Sequence, residues 1–190
     1  EIAQLCCGPY HSVALMKDGT VFTWGGNKFN QLGDGTTTDR YKPARIAGLT
    51  DVVYIASGHL NNFAVKRDGT VWRWGACVSV PDQDELQPIA RPERMEGITN
   101  PKKIVPCSNF VLFLTGDGEV LAYGSNAWGQ LGDGTFESRN ELREVPLPGA
   151  VADLFATQLH AFAVMEDGLV YGWGQNYYSQ IIEALGQRIT

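Results

Sequence analysis

No apolar run in the 190-residue chain approaches the roughly eighteen residues that a helical membrane span requires, and the N-terminus carries no signal-peptide pattern. Cations are scarce: 15 Lys and Arg stand against 21 Asp and Glu, a net charge of -6, so the surface as a whole suits neither nucleic-acid backbones nor anionic membranes. The four cysteines, Cys6, Cys7, Cys77 and Cys107, lack the paired spacing of a zinc site, and adjacent Cys6–Cys7 is a poor start for a disulfide framework. They are expected to be buried, reduced thiols in an intracellular protein, cytoplasmic or nuclear. No Ser nucleophile elbow, phosphate loop or zinc motif is present, so no enzymatic activity, cofactor or metal is expected. No stretch reads as a helix of convincing length, and the first residue is Glu1 rather than Met, which leads us to expect a segment of a longer protein.

What the chain does contain is a repeat. Asp117–Gly134, DGEVLAYGSNAWGQLGDG, is a near-copy of Asp18–Gly35, DGTVFTWGGNKFNQLGDG, and weaker copies start at Asp68 and Asp167. The four aspartates at 18, 68, 117 and 167 are 50, 49 and 50 residues apart. A fixed period of this size marks a solenoid, a propeller or an array. Each Asp-Gly lies between two alternating apolar runs, the strongest short-range hairpin signal, with both turn residues expected at positive φ. Each hairpin follows an apolar strand such as Ile2–Cys7 or Asp51–Ser57, and Lys42–Ile46 suits a short outer strand in which Pro43 costs no ladder bond.

The third strand of each repeat places large residues on one face: Phe22 and Trp24, Trp72 and Trp74, Leu121 and Tyr123, Tyr171 and Trp173. The other face carries Val21 and Thr23, Val71 and Arg73, Val120 and Ala122, Val170 and Gly172. Only Arg73 is charged, so both faces are expected to be covered by neighbouring sheets. The resulting fold class is an all-β propeller of antiparallel four-stranded blades, about 50 residues per blade. We expect one domain or segment over 1–190, with repeats at approximately 1–50, 51–100, 101–150 and 151–190.

The motif DG-x-V-x-x-(W/Y)-G-x-N-x-(aromatic)-x-Q-L-G-D-G, with the upstream Gly8-x-x-His11-Ser12-x-Ala14-Leu15, resembles the regulator of chromosome condensation repeat family. The resemblance is sharpest in repeats one and three, good in four and half-lost in two. Kelch repeats share the period but carry a Gly-Gly pair at a strand end, which does not recur here. The resemblance implies a propeller that usually has seven blades, so four repeats suggest part of one. A closed four-bladed ring, or two chains closing one ring by self-association, are the alternatives. It also implies a protein partner, and for some members guanine-nucleotide exchange on a Ran-like small GTPase or association with chromatin.

Residues at equivalent repeat positions read as structural. His11 and His160 recur after an inner strand as packing or turn elements, whereas His59 is out of phase and expected on an exposed loop. Asn27, Asn126 and Asn176 follow a strand-end Gly and suit turns whose amides bond the local backbone. Phe29, Trp128 and Tyr178 share a position expected to pack between blades. Function is expected where the repeat fails. One such place is Cys77–Pro92, whose Asp82, Asp84 and Glu85 would suit a basic partner. Calcium there lacks a turn glycine and further ligands. The other is Tyr177–Tyr178, ahead of the shortened end of repeat four. Asp82, Asp84, Glu85, Tyr177 and Tyr178 are therefore the candidate protein-binding residues. The leading expectation is a non-enzymatic scaffold that presents loops to a protein partner.

Overall fold

The computed structural model describes residues 1–76, 88–181 and, as backbone only, 187–188. Four sheets follow one another along the chain, each of four strands in sequence order. The first contains β1 (Ile2–Cys7), β2 (His11–Met16), β3 (Val21–Gly25) and β4 (Arg40–Arg45); the second β5 (Val52–Ser57), β6 (Asn61–Lys66), β7 (Thr70–Gly75) and β8 (Ile89–Thr99). The third contains β9 (Lys103–Pro106), β10 (Phe110–Leu114), β11 (Val120–Gly124) and β12 (Arg139–Glu144); the fourth β13 (Val151–Ala156), β14 (His160–Met165), β15 (Val170–Gly174) and β16 (Gln187–Arg188). Pairing is antiparallel apart from the two-residue β16, which runs parallel to β15. These are propeller blades, as the repeat predicts. They group into two compact units, one holding the first two sheets and the other the last two.

The hairpin between the second and third strands differs from the sequence expectation in one respect. Gly19, Gly69, Gly118 and Gly168 have φ of 80°, 84°, 85° and 88°, but none of the preceding aspartates has a positive φ. Gly19 N–H donates to Met16 O at 2.9 Å and Met16 N–H to Thr20 O at 2.8 Å, which closes a three-residue loop with glycine alone in the left-handed region. The aspartate has a different task. Asp18 Oδ1 accepts from the N–H and hydroxyl of Thr20 at 3.0 and 2.6 Å, and Asp68 repeats this with Thr70. A short acceptor that reaches two residues ahead explains the aspartates at 18, 68 and 167 without any special backbone angle, whereas in repeat three Glu119 N–H goes to Thr115 Oγ1.

Each unit packs its two sheets face to face. In the first, Val13, Leu15 and Val21 meet Ile55, Ala64 and Trp74, with Ile46 and Leu49 of the connecting segment. In the second, Leu112, Leu114, Val120 and Ala122 meet Leu154, Ala161, Ala163 and Trp173. Bulky and slim positions alternate as period-two strands require. Trp74 and Trp173 are fully buried, while Val21, Thr23, Val120 and Ala122 form closed slim faces.

β1 shows why the cysteine expectation fails in part. Its Gln4–Cys6 side faces β5: Gln4 Nε2 donates to Ile55 O at 2.8 Å, and Ile55 N–H returns a bond to Gln4 Oε1 at 2.9 Å. Alternation therefore turns Leu5 and Cys7 the other way, and both are exposed. Cys7 is an exposed thiol and Cys6 a half-buried one. Cys107 is buried, which pushes its pKa up to about 12. Cys77 lies outside the described residues.

Candidate functional site

The loop after the third strand of the first, third and fourth sheets is built by one asparagine. Asn126 is fully buried; its Nδ2 donates to Thr135 O at 2.9 Å and Asp133 Oδ1 at 3.0 Å, and its Oδ1 accepts from Leu131 N–H at 2.9 Å. Asn27 makes the same set with Thr36, Asp34 and Leu32. Asn176 keeps the shortened version, bonding both polar groups of the Ile181 backbone. A glutamine two residues beyond the aromatic then accepts the aromatic residue's own N–H: Gln31 from Phe29, Gln130 from Trp128, Gln180 from Tyr178, at 2.8 to 2.9 Å. The residue between, Asn30, Gly129 or Ser179, sits at φ between 57° and 72°. The loop is thus a rigid knuckle with its aromatic held at the tip.

Burial tends to raise the pKa of Asp34 and Asp133 in these loops. Hydrogen bonds from Thr36 and Thr135, together with Asn27 and Asn126 and the guanidiniums of Arg40 and Arg139, prevail and hold both carboxyls below the usual range. Arg139 Nε lies 2.8 Å from Asp133 Oδ2, and Arg40 pairs with Asp34 in the same way.

The same knuckle receives the next sheet. Trp74 Nε1–H donates to Gln31 O at 2.9 Å, and Trp173 Nε1–H to Gln130 O at 2.9 Å. Gly33 and Gly132, at φ 64° and 68°, leave room for those indoles; a Cβ there would lie 2.7 to 2.8 Å from the ring. In the first unit the contact extends to His11. Its Nε2 lies 2.7 Å from Asn62 Oδ1, which also accepts from Ser57 Oγ, while Asn62 Nδ2 donates to Gln31 O. With Oδ1 as the acceptor, the proton belongs on His11 Nε2, and the buried Nδ1 has no hydrogen-bond partner among the described residues. The repeated histidines are structural in this sense. His160 is half-buried with Nδ1 2.9 Å from Thr157 Oγ1. His59, expected on an exposed loop, is instead half-buried and stacked on Tyr10 at 5.7 Å between ring centroids.

This geometry makes the first unit acid-sensitive. Burial, with the nearby His59, lowers the pKa of His11 below the ordinary imidazole value of 6.5, against the raising effect of Asn62. A folded pKa below the unfolded one means that the stabilisation is complete above pH 6.5 and is lost as pH falls from there through the folded pKa. The depressed aspartates add a second loss as pH falls below their unfolded value of 3.8. Urea midpoints measured from pH 8 to 4 should fall for the parent chain below pH 6.5. They should stay flatter in His11→Asn, the residue that Asn61 supplies at the equivalent position of the second sheet. Parallel slopes would refute the assignment.

Of the predicted site residues, Asp82, Asp84 and Glu85 lie outside the described residues. Tyr177 and Tyr178 are placed, 71% and 87% exposed. Tyr177 does not stand alone: Trp128 meets it edge-on at 5.5 Å between centroids, and Phe136 completes a cleft of about 310 Å³ with Gly174, Gln175 and Asn176. Trp128 is 42% and Phe136 70% exposed. The expectation that Phe29, Trp128 and Tyr178 pack between blades is therefore corrected. The position is the knuckle tip: Phe29 is half-buried, Trp128 is exposed with its ring meeting Tyr177, and Tyr178 is exposed. Interior packing belongs to Trp74, Trp173 and the leucines of the loop. Phe136 was readable as a large apolar residue in the loop slot that Thr37 fills in repeat one. Among the described residues no cluster of His, Cys, Asp and Glu could hold a metal ion, and no helix is long and apolar enough to cross a membrane.

Comparison with known proteins agrees with the geometry. Models of the regulator of chromosome condensation (RCC1) repeat match residues 18–65, and 2–31 with 151–180. The ultraviolet-B receptor UVR8 of Arabidopsis thaliana is 30% identical over 192 residues, covering 95% of this chain and 43% of the receptor. The human E3 ubiquitin-protein ligase HERC2 is 30% identical over 205 residues, but these are 4% of that protein. The crystal structure of Prp20p from Saccharomyces cerevisiae, described with its binding to Gsp1p and histones, superposes with a TM-score of 0.79 at 25% identity, covering 92% of this chain and 45% of that one. The chain spans less than half the length of each of these relatives. It is built from regulator of chromosome condensation repeats and belongs to that β-propeller repeat family.

Proposed function

We propose that this chain is a non-enzymatic binding scaffold whose rigid knuckle loops present side chains to a protein partner. One observation carries the reading: Trp128, Phe136, Tyr177 and Tyr178 are exposed together on loops fixed by the buried Asn126 and the half-buried Asn176. Aromatics held out on a rigid frame bind with little loss of side-chain entropy and are enriched at interface hot spots. Contiguous exposed apolar surface of this kind marks interaction sites. The acidic Asp82, Asp84 and Glu85 join the proposal as a second contact for a basic partner. The free thiols at Cys6, Cys7 and Cys107 suit an intracellular setting, cytoplasmic or nuclear.

A second reading draws on the likeness to Prp20p: nucleotide exchange on a Ran-like small GTPase, or attachment to chromatin through histones. The two readings separate in one pair of measurements on the full-length protein. Release of a labelled guanine nucleotide from candidate GTPases should be unchanged on the scaffold reading and accelerated on the exchange reading. Partner recovery in pull-downs should drop at least fivefold for Tyr177→Ala/Tyr178→Ala, about 1 kcal/mol or more of interface energy. Recovery equal to the parent would refute the loop surface.

A further inference from the structure

The aromatic cleft differs from three other aromatics of the chain, the half-buried Phe29 and Trp72 and the exposed Phe155, each of which has a lysine over its ring. Lys28 Nζ lies over Phe29 at 5.7 Å, Lys66 Nζ over Trp72 at 4.3 Å, and Lys103 Nζ over Phe155 at 4.4 Å from the ring centroid. Each is a cation–π contact made by the protein with itself. Phe29 and Trp128 occupy the same knuckle tip, so the first contact shows what that position accepts. In repeat three the residue before the tip is Ala127, where repeat one has Lys28. Among the described residues no such contact falls on Trp128, Phe136 or Tyr177, and no Lys or Arg lines the cleft.

The electrostatics around it point the same way. The loop that carries Phe136 holds the charges Asp133, Glu137 and Arg139. Arg139 binds Asp133 at 2.8 Å and reaches Glu137 at 3.6 Å, so two carboxylates share one guanidinium. One negative charge is left over, and the Glu137 side chain is 78% exposed. Ring faces carry negative quadrupole potential, and the remaining lining, Gln175 and Asn176, is neutral. At about 310 Å³ the cleft is at the lower limit for a small-molecule site, a size that suits one side chain.

We infer that the Trp128–Phe136–Tyr177 cleft takes a lysine or arginine side chain from a basic segment of the partner, replacing the intramolecular lysine that Ala127 removed. This rests on the scaffold reading and specifies its chemistry. A peptide of three lysines separated by Gly-Ser spacers is the probe, with the same peptide acetylated on every lysine as control. Binding is followed by fluorescence polarisation and by the Trp128 indole N–H signal in a heteronuclear NMR titration. The lysine peptide should shift that signal and lose about tenfold in affinity in Trp128→Ala, with little loss in Trp128→Phe. The acetylated peptide should bind at least tenfold more weakly.

Equal binding of the two peptides, no indole shift at millimolar lysine peptide, or unchanged affinity in Trp128→Ala overturns the inference. So does a sedimentation result in which the cleft joins two copies of this chain, with the dimer lost in Trp128→Ala. Trp128 is on the surface, so its variants should keep the parent circular dichroism. If the lysine peptide fails while Tyr177→Ala/Tyr178→Ala still loses the protein partner, the cation is wrong and the scaffold stands. If both fail, the scaffold reading falls with it.

Discussion

Trp173→Ala should lower the unfolding free energy by about 3–5 kcal/mol, a large part of what a domain of this size possesses. The indole is fully buried between the third and fourth sheets, against Leu131, Ala161 and the bare backbone of Gly132. Its removal leaves a cavity that a rigid loop cannot collapse into, since Asn126 holds that loop from within. It also orphans Gln130 O, which accepts the indole N–H. Trp173→Phe separates the two effects. Much of the packing survives, and the unpaired carbonyl with the smaller ring should cost about 1–2 kcal/mol. In repeat proteins stability is a sum of unit and interface contributions. The loss should therefore appear as an early transition of the fourth sheet in urea, followed by circular dichroism and by hydrogen exchange of β14 amides. A Trp173→Ala midpoint within about 1 kcal/mol of the parent would refute the interface role.

The second large effect concerns Asn126. Asn126→Ala removes the Leu131 acceptor and the donors to Thr135 O and Asp133 in a site without water access, at a cost of about 2–4 kcal/mol. Asn126→Asp is the sharper test, because it keeps the shape and the Leu131 acceptor. Its second oxygen would face Asp133 Oδ1 and Thr135 O, where the amide donates at 3.0 and 2.9 Å. Two acceptors and two negative charges would meet in a buried loop. At pH 7 Asp should therefore be no better than Ala. The new carboxyl would have a folded pKa raised by burial and by Asp133, so its penalty should shrink as pH falls and it gains a proton to donate. Thermal midpoints at pH 7 and 5 read this directly. An Asp variant as stable as the parent at pH 7 would show that the amide donor is not needed.

The sequence carried the fold because each repeat states the same packing problem. Asp-Gly at one fixed spacing located every hairpin, and alternation at Val21–Trp24 and Val170–Trp173 told which side of the third strand would be filled by large residues. What it could not separate was a buried aromatic from an exposed one when both recur. Trp173 and Trp128 are both repeated aromatics near a strand end. The difference lies in φ at Gly129 and in the Gln130 side chain, which turn the knuckle tip outward. Likewise His59 stacks on Tyr10 through a neighbouring sheet, and no local pattern reports such a partner. Tyr177 is a candidate in the sequence because it breaks the repeat. Phe136 and Trp128, which share its cleft, give no such signal: Trp128 keeps the repeat and Phe136 is a single change within a loop.

The indole–carbonyl contact also gives the repeats a polarity. Each knuckle of the Gln31 and Gln130 type is a socket, with a carbonyl to be filled and a glycine cleared for the ring, while each Trp74 or Trp173 is a plug that belongs to the following repeat. In both units the socket belongs to one repeat and its plug to the next, so the contact runs one way along the chain. Reversing the order of such a pair would leave the carbonyl facing no indole and the indole facing no cleared glycine.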